Sequence, residues 1–226
     1  MVKYIFLSVV LLFFVSCGKD DKKLVSIPEA SGISYCHDSD SLVVANDEGY
    51  LYEISKKGKI LRKKYLGKYD LEGVVCEKKD FIFADENGGI LYVDRKSLKK
   101  RYIKLNIKFP KNSGFEGIEK IGEDLYLAVQ AKKSKKAKLV VLTKTGKLIK
   151  TIKTHITDMS GLSYHKNKLY ILSDKHDKIY LFDLKKQKVL KSYKVKKSAQ
   201  EGITFDDKGD IYIADDNGKV FKRKSL

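Results

Sequence analysis

Five times along the chain a serine or glutamate stands directly before a glycine and an aliphatic residue: Ser31-Gly32-Ile33, Glu72-Gly73-Val74, Glu116-Gly117-Ile118, Ser160-Gly161-Leu162 and Glu201-Gly202-Ile203. Three carboxylates and two hydroxyls at matched places form an all-oxygen donor set, without His or Cys, of the kind a hard cation takes. Brought together with no cation between them, the carboxylates would repel and at least one would be driven to keep a proton. A roomy mixed ring suits calcium better than magnesium, which demands tight octahedral geometry and retains several waters. Ser31, Glu72, Glu116, Ser160 and Glu201 are therefore the expected metal ligands and Ca2+ the expected ion. The competing reading is that the phrase only opens a strand, with its oxygens bonded to backbone N–H groups or water.

For these positions to converge, five equivalent elements must begin around one point. The glycines are 41, 44, 44 and 41 residues apart, and each is followed by the same order of segments. Strand-length apolar runs end at residues 42–45, 81–84, 125–128, 169–172 and 211–214. Tight-turn signals such as Asn46-Asp47-Glu48-Gly49 and Asp215-Asp216-Asn217-Gly218 come next, then a third strand, a Lys-rich turn and a fourth strand. Four antiparallel strands in roughly 40 to 45 residues is the period of a propeller blade, and no segment shows a sustained helical period. The fifth unit runs out after its third strand, and the unused strand-like segment is residues 23–27. The expected architecture is all-β: a five-bladed β-propeller over residues 23–226, its last blade closed by the N-terminal strand. First strands then line the axis, and glycines without Cβ let them approach closely there.

Residues 1–16 carry one cation, Lys3, and an almost wholly apolar run over 4–15 that ends in Ser16. That is a secretory signal peptide, too short to span a bilayer comfortably. The ending Val15-Ser16-Cys17-Gly18 resembles a bacterial lipobox, with Phe14 where an aliphatic residue is usual. The resemblance implies a lipid on Cys17, a polar tether over 17–22, and a propeller anchored to a membrane of the bacterial cell envelope, in the periplasm. Export permits disulfides. Cys36 and Cys76 lie four and three residues after their glycines, on first strands of adjacent blades. Alternation along a strand turns the two toward a shared interface, where they form either a bridge or two buried thiols acting as small hydrophobes.

The chain has 226 residues, 42% hydrophobic and 34% charged, which excludes a disordered tail or collagen-like repeat. Its 47 basic against 29 acidic side chains give +18, and loss of Lys3 with the signal leaves +17. Lysine clusters at 56–64, 96–101, 144–153 and 185–197 fall on outer strands and their turns, where charge guards sheet edges or meets a polyanion. There is no aromatic interleaving, recognition helix or finger spacing, so no specific nucleic-acid partner is expected. The turns sharing the ring's face reverse the sign, with Asn46, Asp47, Asp85, Glu86, Gln130, Asp174, His176, Asp177, Asp215 and Asp216. The third unit instead carries Lys132, Lys133, Lys135 and Lys136, a solvated loop or a grip for an anionic small molecule. An anionic lipid or glycan is the other partner the cationic surface admits.

The five phrases, the blade length and the lipoprotein-like export resemble the SdiA-regulated family of bacterial propeller proteins over essentially the whole mature chain. The order Ser, Glu, Glu, Ser, Glu is also similar to the central calcium ring of the calcium-activated nucleotidases, five-bladed propellers that hydrolyse nucleoside di- and triphosphates. That likeness implies the same five residues as calcium ligands. The chain has no Trp and little Arg, so the stacking and bidentate phosphate contacts of a nucleotide site would need substitutes. No Gly-x-Ser-x-Gly elbow occurs, and no His has a matched Ser or Cys spacing. The expected function is a membrane-tethered, calcium-binding module or scaffold without catalysis. The alternative is a calcium-dependent phosphohydrolase, nucleotidase-like, or an esterase, with the metal as Lewis acid and a mouth carboxylate as base.

Overall fold

The computed structural model describes residues 21–107 and 113–226. The expected signal peptide and the lipidated Cys17 lie outside the described residues. The first blade follows a short strand β1 (Lys22–Val25) and comprises β2 (Ala30–Cys36), β3 (Ser41–Asn46), β4 (Tyr50–Ser55) and β5 (Ile60–Tyr65). The second is β6 (Leu71–Cys76), β7 (Asp80–Asp85), β8 (Gly89–Asp94) and β9 (Lys100–Lys104). The third is β10 (Phe115–Ile121), β11 (Asp124–Val129), β12 (Lys138–Leu142) and β13 (Leu148–Lys153). The fourth is β14 (Met159–His165), β15 (Lys168–Ser173), β16 (Lys178–Asp183) and β17 (Lys188–Lys194), and the fifth supplies β18 (Gln200–Phe205), β19 (Ile211–Asp215) and β20 (Lys219–Arg223).

Each sheet has four antiparallel strands in chain order, and β1 completes the fifth beside β20. Lys22 pairs with Lys222 and Val25 with Val220. The closing strand is thus Lys22–Val25 rather than the expected 23–27, because the chain turns toward the first blade at Pro28 and Glu29, the latter at φ 43°. Ile27 still donates its N–H to the Gly218 carbonyl at 3.2 Å.

The inner three strands of a blade are apolar on both faces, and alternation divides them between two interfaces. Leu42 and Val44 of β3 pack toward the fifth blade with Tyr212, Ala214 and Val220. Val43 and Ala45 pack toward the second with Phe81, Phe83 and Leu91. Five such clusters occur, one per junction between neighbouring blades. Each blade therefore lends half of two cores, and no blade can bury its apolar surface alone. The fourth strands β5, β13 and β17 are largely exposed and Lys-rich. Cys36 and Cys76 are joined by a disulfide between the first two blades, with Cα atoms 5.3 Å apart.

Candidate metal centre

The five-fold phrase has a structural counterpart that its sequence does not disclose. In every blade the pairing of first and second strand slips at the Ser/Glu-Gly step: between Ala30 and Gly32, Leu71 and Gly73, Phe115 and Ile118, Met159 and Gly161, and Gln200 and Gly202. The serine or glutamate is the extra residue of a β-bulge, a device that re-aims a side chain. The glycines that follow form a closed ring. A Cβ on Gly32 would lie 2.7 Å from the Cα of Gly73, and one on Gly73 would lie 2.8 Å from the Ile118 nitrogen. Gly117 meets Gly161, Gly161 meets Gly202, and Gly202 meets Gly32 in the same way. The ring encloses a cavity of about 10 Å³, room for about one water or a bare ion.

Glu72, Ser160 and Glu201 line this cavity together with all five glycines. Ser31 Oγ donates to the Leu71 carbonyl at 2.5 Å and Ser160 Oγ donates to the Gln200 carbonyl at 2.7 Å. Each ring serine is thereby tied to the residue just before the next blade's ring glutamate. Its proton is committed to a carbonyl while its oxygen lone pairs stay free for a cation.

The carboxylates are poorly accommodated as anions. Burial raises Glu72 far above the usual carboxylate range, and Glu116, Asp47, Asp70 and Glu201 push in the same direction. Glu116 is raised by burial, then by Glu86, Asp158, Asp70 and Asp47. Glu201 is raised to about 9 by burial, then by Glu116, Asp174, Asp216 and Asp158. Every leading influence on these three groups favours the proton, so a cation at this place would relieve all of them at once.

Around the inner ring stands a second one. Asp47, Glu86, Asp174 and Asp216 occupy the same place in their blades, the first residue past the second strand, and Gln130 takes that place in the third. Asp47 and Asp70 were not among the expected ligands, yet carboxylate oxygens of Asp47, Asp70 and Glu72 lie within 4.8 Å of one another. Burial raises Asp47 to about 6, with the Asp216 and Glu29 charges pushing the same way against a partial offset from its own backbone N–H. Its Oδ1 is buried without a hydrogen-bond partner. An orphaned carboxylate oxygen facing two more carboxylates fits a divalent cation bound between the first and second blades, at the edge of the axial ring.

Other residues expected at this mouth have structural duties. Asn46 donates to the Pro28 carbonyl and accepts the Tyr50 N–H. Asp85 accepts from Tyr102 Oη at 2.8 Å and from the Asn87 N–H. Asp215 is fully buried and accepts the Asn217 N–H. His176 forms a 2.8 Å hydrogen bond with Thr157 Oγ1, a pairing across two loops that sequence spacing does not reveal. At the far end of the channel, His37 meets Asp207 at 2.7 Å and His165 stacks on Phe205. Glu119, raised to about 7 by burial, accepts the Tyr164 and Lys120 N–H groups there.

A family model described as SdiA-regulated matches residues 19–222. Among solved structures, the crystal structure of Myxococcus xanthus glutaminyl cyclase superposes with a TM-score of 0.71 at 10% identity, covering 90% of this chain and 93% of that one. At that identity the likeness is one of fold. No curated protein sequence matches the chain significantly.

Proposed function

The chain belongs to the SdiA-regulated family, and from that premise we propose that it is a calcium-binding propeller, exported and held to an envelope membrane by a lipid on Cys17, that works as a binding module without catalysis. The observation that carries the metal is the buried, partnerless Oδ1 of Asp47 beside Asp70 and Glu72, next to Glu116 and Glu201, which burial and neighbouring carboxylates push toward the protonated form. Asp47, Asp70 and Glu72 would hold the ion, with Glu116, Glu201 and the lone pairs of Ser31 and Ser160 completing the oxygen environment. Calcium tolerates the irregular, six-to-eight-oxygen arrangement such a site offers. The ion would bind the native state alone, stabilising it by about 2.7 kcal/mol at a hundredfold excess over its dissociation constant. Calorimetric titration of the chelator-treated protein with calcium tests this, and no heat and no gain in melting temperature would overturn it. Mass spectrometry of the protein from a bacterial envelope fraction, looking for a diacylglyceryl adduct on Cys17, tests the anchor.

A second reading, a cation-dependent hydrolase of phosphate esters, is favoured by the Thr157–His176 pair on the acidic mouth. It pairs a hydroxyl with a base in the geometry general-base chemistry needs. Calcium-dependent turnover of a phosphate-ester panel, lost in His176→Gln, would select this reading over the first.

A further inference from the structure

The end of the propeller opposite the acidic mouth is formed by the turns joining first to second and third to fourth strands. Three of the latter carry one pattern, Lys57-Gly58-Lys59-Ile60-Leu61, Thr145-Gly146-Lys147-Leu148-Ile149 and Lys186-Gln187-Lys188-Val189-Leu190. Gly58, Gly146 and Gln187 all have positive φ just before the strand begins, although the fourth-blade turn is one residue longer than the other two. Each apolar pair follows directly, and in each blade the ladder slips there, between Glu53 and Ile54, Val141 and Leu142, or Leu181 and Phe182. A regular strand would send one of two consecutive side chains to each face. The fourth strands have little cover on either face, and both members of each pair stand in solvent: Ile60 and Leu61 are 45% and 53% exposed, Leu148 and Ile149 54% and 45%, Val189 and Leu190 40% and 51%. An outer edge strand is ordinarily protected by charge at such places, and apolar exposure repeated at one register marks an interaction surface.

Lysines surround the pairs. Lys57, Lys59, Lys147, Lys186 and Lys188 make no ion pair among the described residues, in contrast to Lys56 and Lys144 beside them, which hold Asp40 and Glu123. The second blade puts Lys100 at the register of Ile60 and, with no extra residue in its fourth strand, Arg101 at that of Arg62. In the fifth blade that register belongs to the incoming chain, because Lys22 faces Lys222 as Arg62 faces Glu53. Asp21 pairs with Arg223 at 2.8 Å, which fixes the exit. The five residues from Lys22 back to Cys17 reach at most about 17 Å, so an anchor on Cys17 would leave the fifth blade from the same end of the propeller as the apolar pairs.

We propose that this end of the propeller rests on an anionic lipid surface, with the pairs Ile60–Leu61, Leu148–Ile149 and Val189–Leu190 in the interfacial layer, the hairpin lysines against the headgroups, and the acidic mouth turned away. Unpaired lysines beside exposed aliphatic side chains are the combination that anionic bilayers bind. A second copy of the chain is a poor occupant, since a face-to-face dimer would oppose lysine hairpins to one another. The inference shares its membrane with the tethering reading, and its test omits the lipid so that the two can fail separately.

The twenty strands among the described residues lie within 22–223, so the chain from Gly18 onward keeps the closed ring and can be used without lipid. The protein has no Trp, which makes Leu148→Trp a single fluorescent reporter. With phosphatidylglycerol vesicles its emission should move to shorter wavelength and be quenched by brominated acyl chains. Binding should weaken roughly tenfold or more on phosphatidylcholine vesicles or in high salt. Lys132→Trp, on the acidic-mouth side, should stay unshifted on the same vesicles. In the Trp-free chain, the combined change Leu61→Ser, Leu148→Ser and Leu190→Ser should lower vesicle affinity roughly tenfold while leaving the melting temperature unchanged, since all three side chains are exposed. Equal binding to both lipids, a shifted Lys132→Trp reporter, a bound but unshifted Leu148→Trp reporter, or a dimer in solution dispersed by the serine variant would each overturn the proposal.

Discussion

Gly202 of the last blade lies against Gly32 of the first so closely that a Cβ on Gly202 would sit 3.0 Å from the Gly32 Cα and 2.8 Å from the Ile33 nitrogen. This contact closes the inner ring, as the pairing of β1 with β20 closes the outer edge. Between residues 170 positions apart, it makes the radius of the axial cavity a property of the whole chain, and every first strand helps to set it.

Alanine at a ring glycine should therefore cost stability in proportion to the backbone it strikes. Gly32→Ala meets Gly73 Cα at 2.7 Å and the Glu72 carbonyl at 2.8 Å, whereas Gly117→Ala meets nothing nearer than 3.1 Å. Backbone cannot rotate aside as a side chain can, so Gly32→Ala should lose about 1–3 kcal/mol or more and Gly117→Ala less. Urea unfolding of the two variants checks the order, and the reverse order would show that the ring does not set the packing.

The five-fold order of the fold was legible because the phrase recurs at a nearly constant period and is the same kind of residue each time. The site was legible only where it repeats. Asp70 stands two residues before Glu72, and Glu29 and Asp158 take that place before Ser31 and Ser160, but Gly114 and Ala199 break the series in the third and fifth blades, so the repeat marks it only incompletely. Its part in the site arises from a contact with Asp47 across a blade boundary, which periodicity does not describe. The bulges that aim the ring residues, and the one at Leu61 beside Ile60, are likewise invisible, since an extra residue in a strand changes no residue type.

Removing the bridge between the first two blades should destabilise the protein without altering the site. Cys36 and Cys76 are 40 residues apart, and a crosslink over a loop of that size is worth about 2–4 kcal/mol. Cys36→Ala with Cys76→Ala should lower the unfolding free energy by that amount, bring the urea midpoint down with it, and make that midpoint insensitive to reductant, with calcium affinity unchanged. A midpoint equal to that of the oxidised parent would show that the two blades are held by their shared core alone.

Stability without calcium should fall as pH rises. Glu201 is raised to about 9 in the folded state, and Glu72 and Glu116 are raised with it, chiefly by burial. Between the ordinary glutamate value of about 4.3 and about 9, the native state holds more protons than the unfolded one, so unfolding becomes easier as they are lost. Glu119, raised to about 7 at the other end of the channel, acts in the same direction. Thermal melts in chelator should therefore show a melting temperature that declines from pH 5 toward pH 9, and calcium should flatten the decline. Glu201→Gln should reduce the slope in chelator, and an unchanged slope would assign the pH dependence elsewhere.

Calcium affinity should depend most on the residues around the orphaned oxygen. Asp47→Asn removes one charge and leaves a carbonyl oxygen in nearly the same place, and Glu72→Gln does the same on the neighbouring blade. Each should weaken calcium binding roughly 10–100-fold, the range seen when a metal site loses an important partner. The apo forms should melt at or above the temperature of the parent, because each change relieves repulsion among Asp47, Asp70 and Glu72. Asp85→Asn serves as the contrast. Its carboxylate accepts from Tyr102 and from the Asn87 N–H and reaches the site only through its charge on Asp70, so it should affect stability while weakening calcium binding less than either of the other two changes. Calorimetric titration of the four proteins decides the matter: if Asp47→Asn and Glu72→Gln bind calcium as tightly as the parent, the axial carboxylates hold protons rather than an ion, and the Ser/Glu-Gly phrase serves only to open the five inner strands.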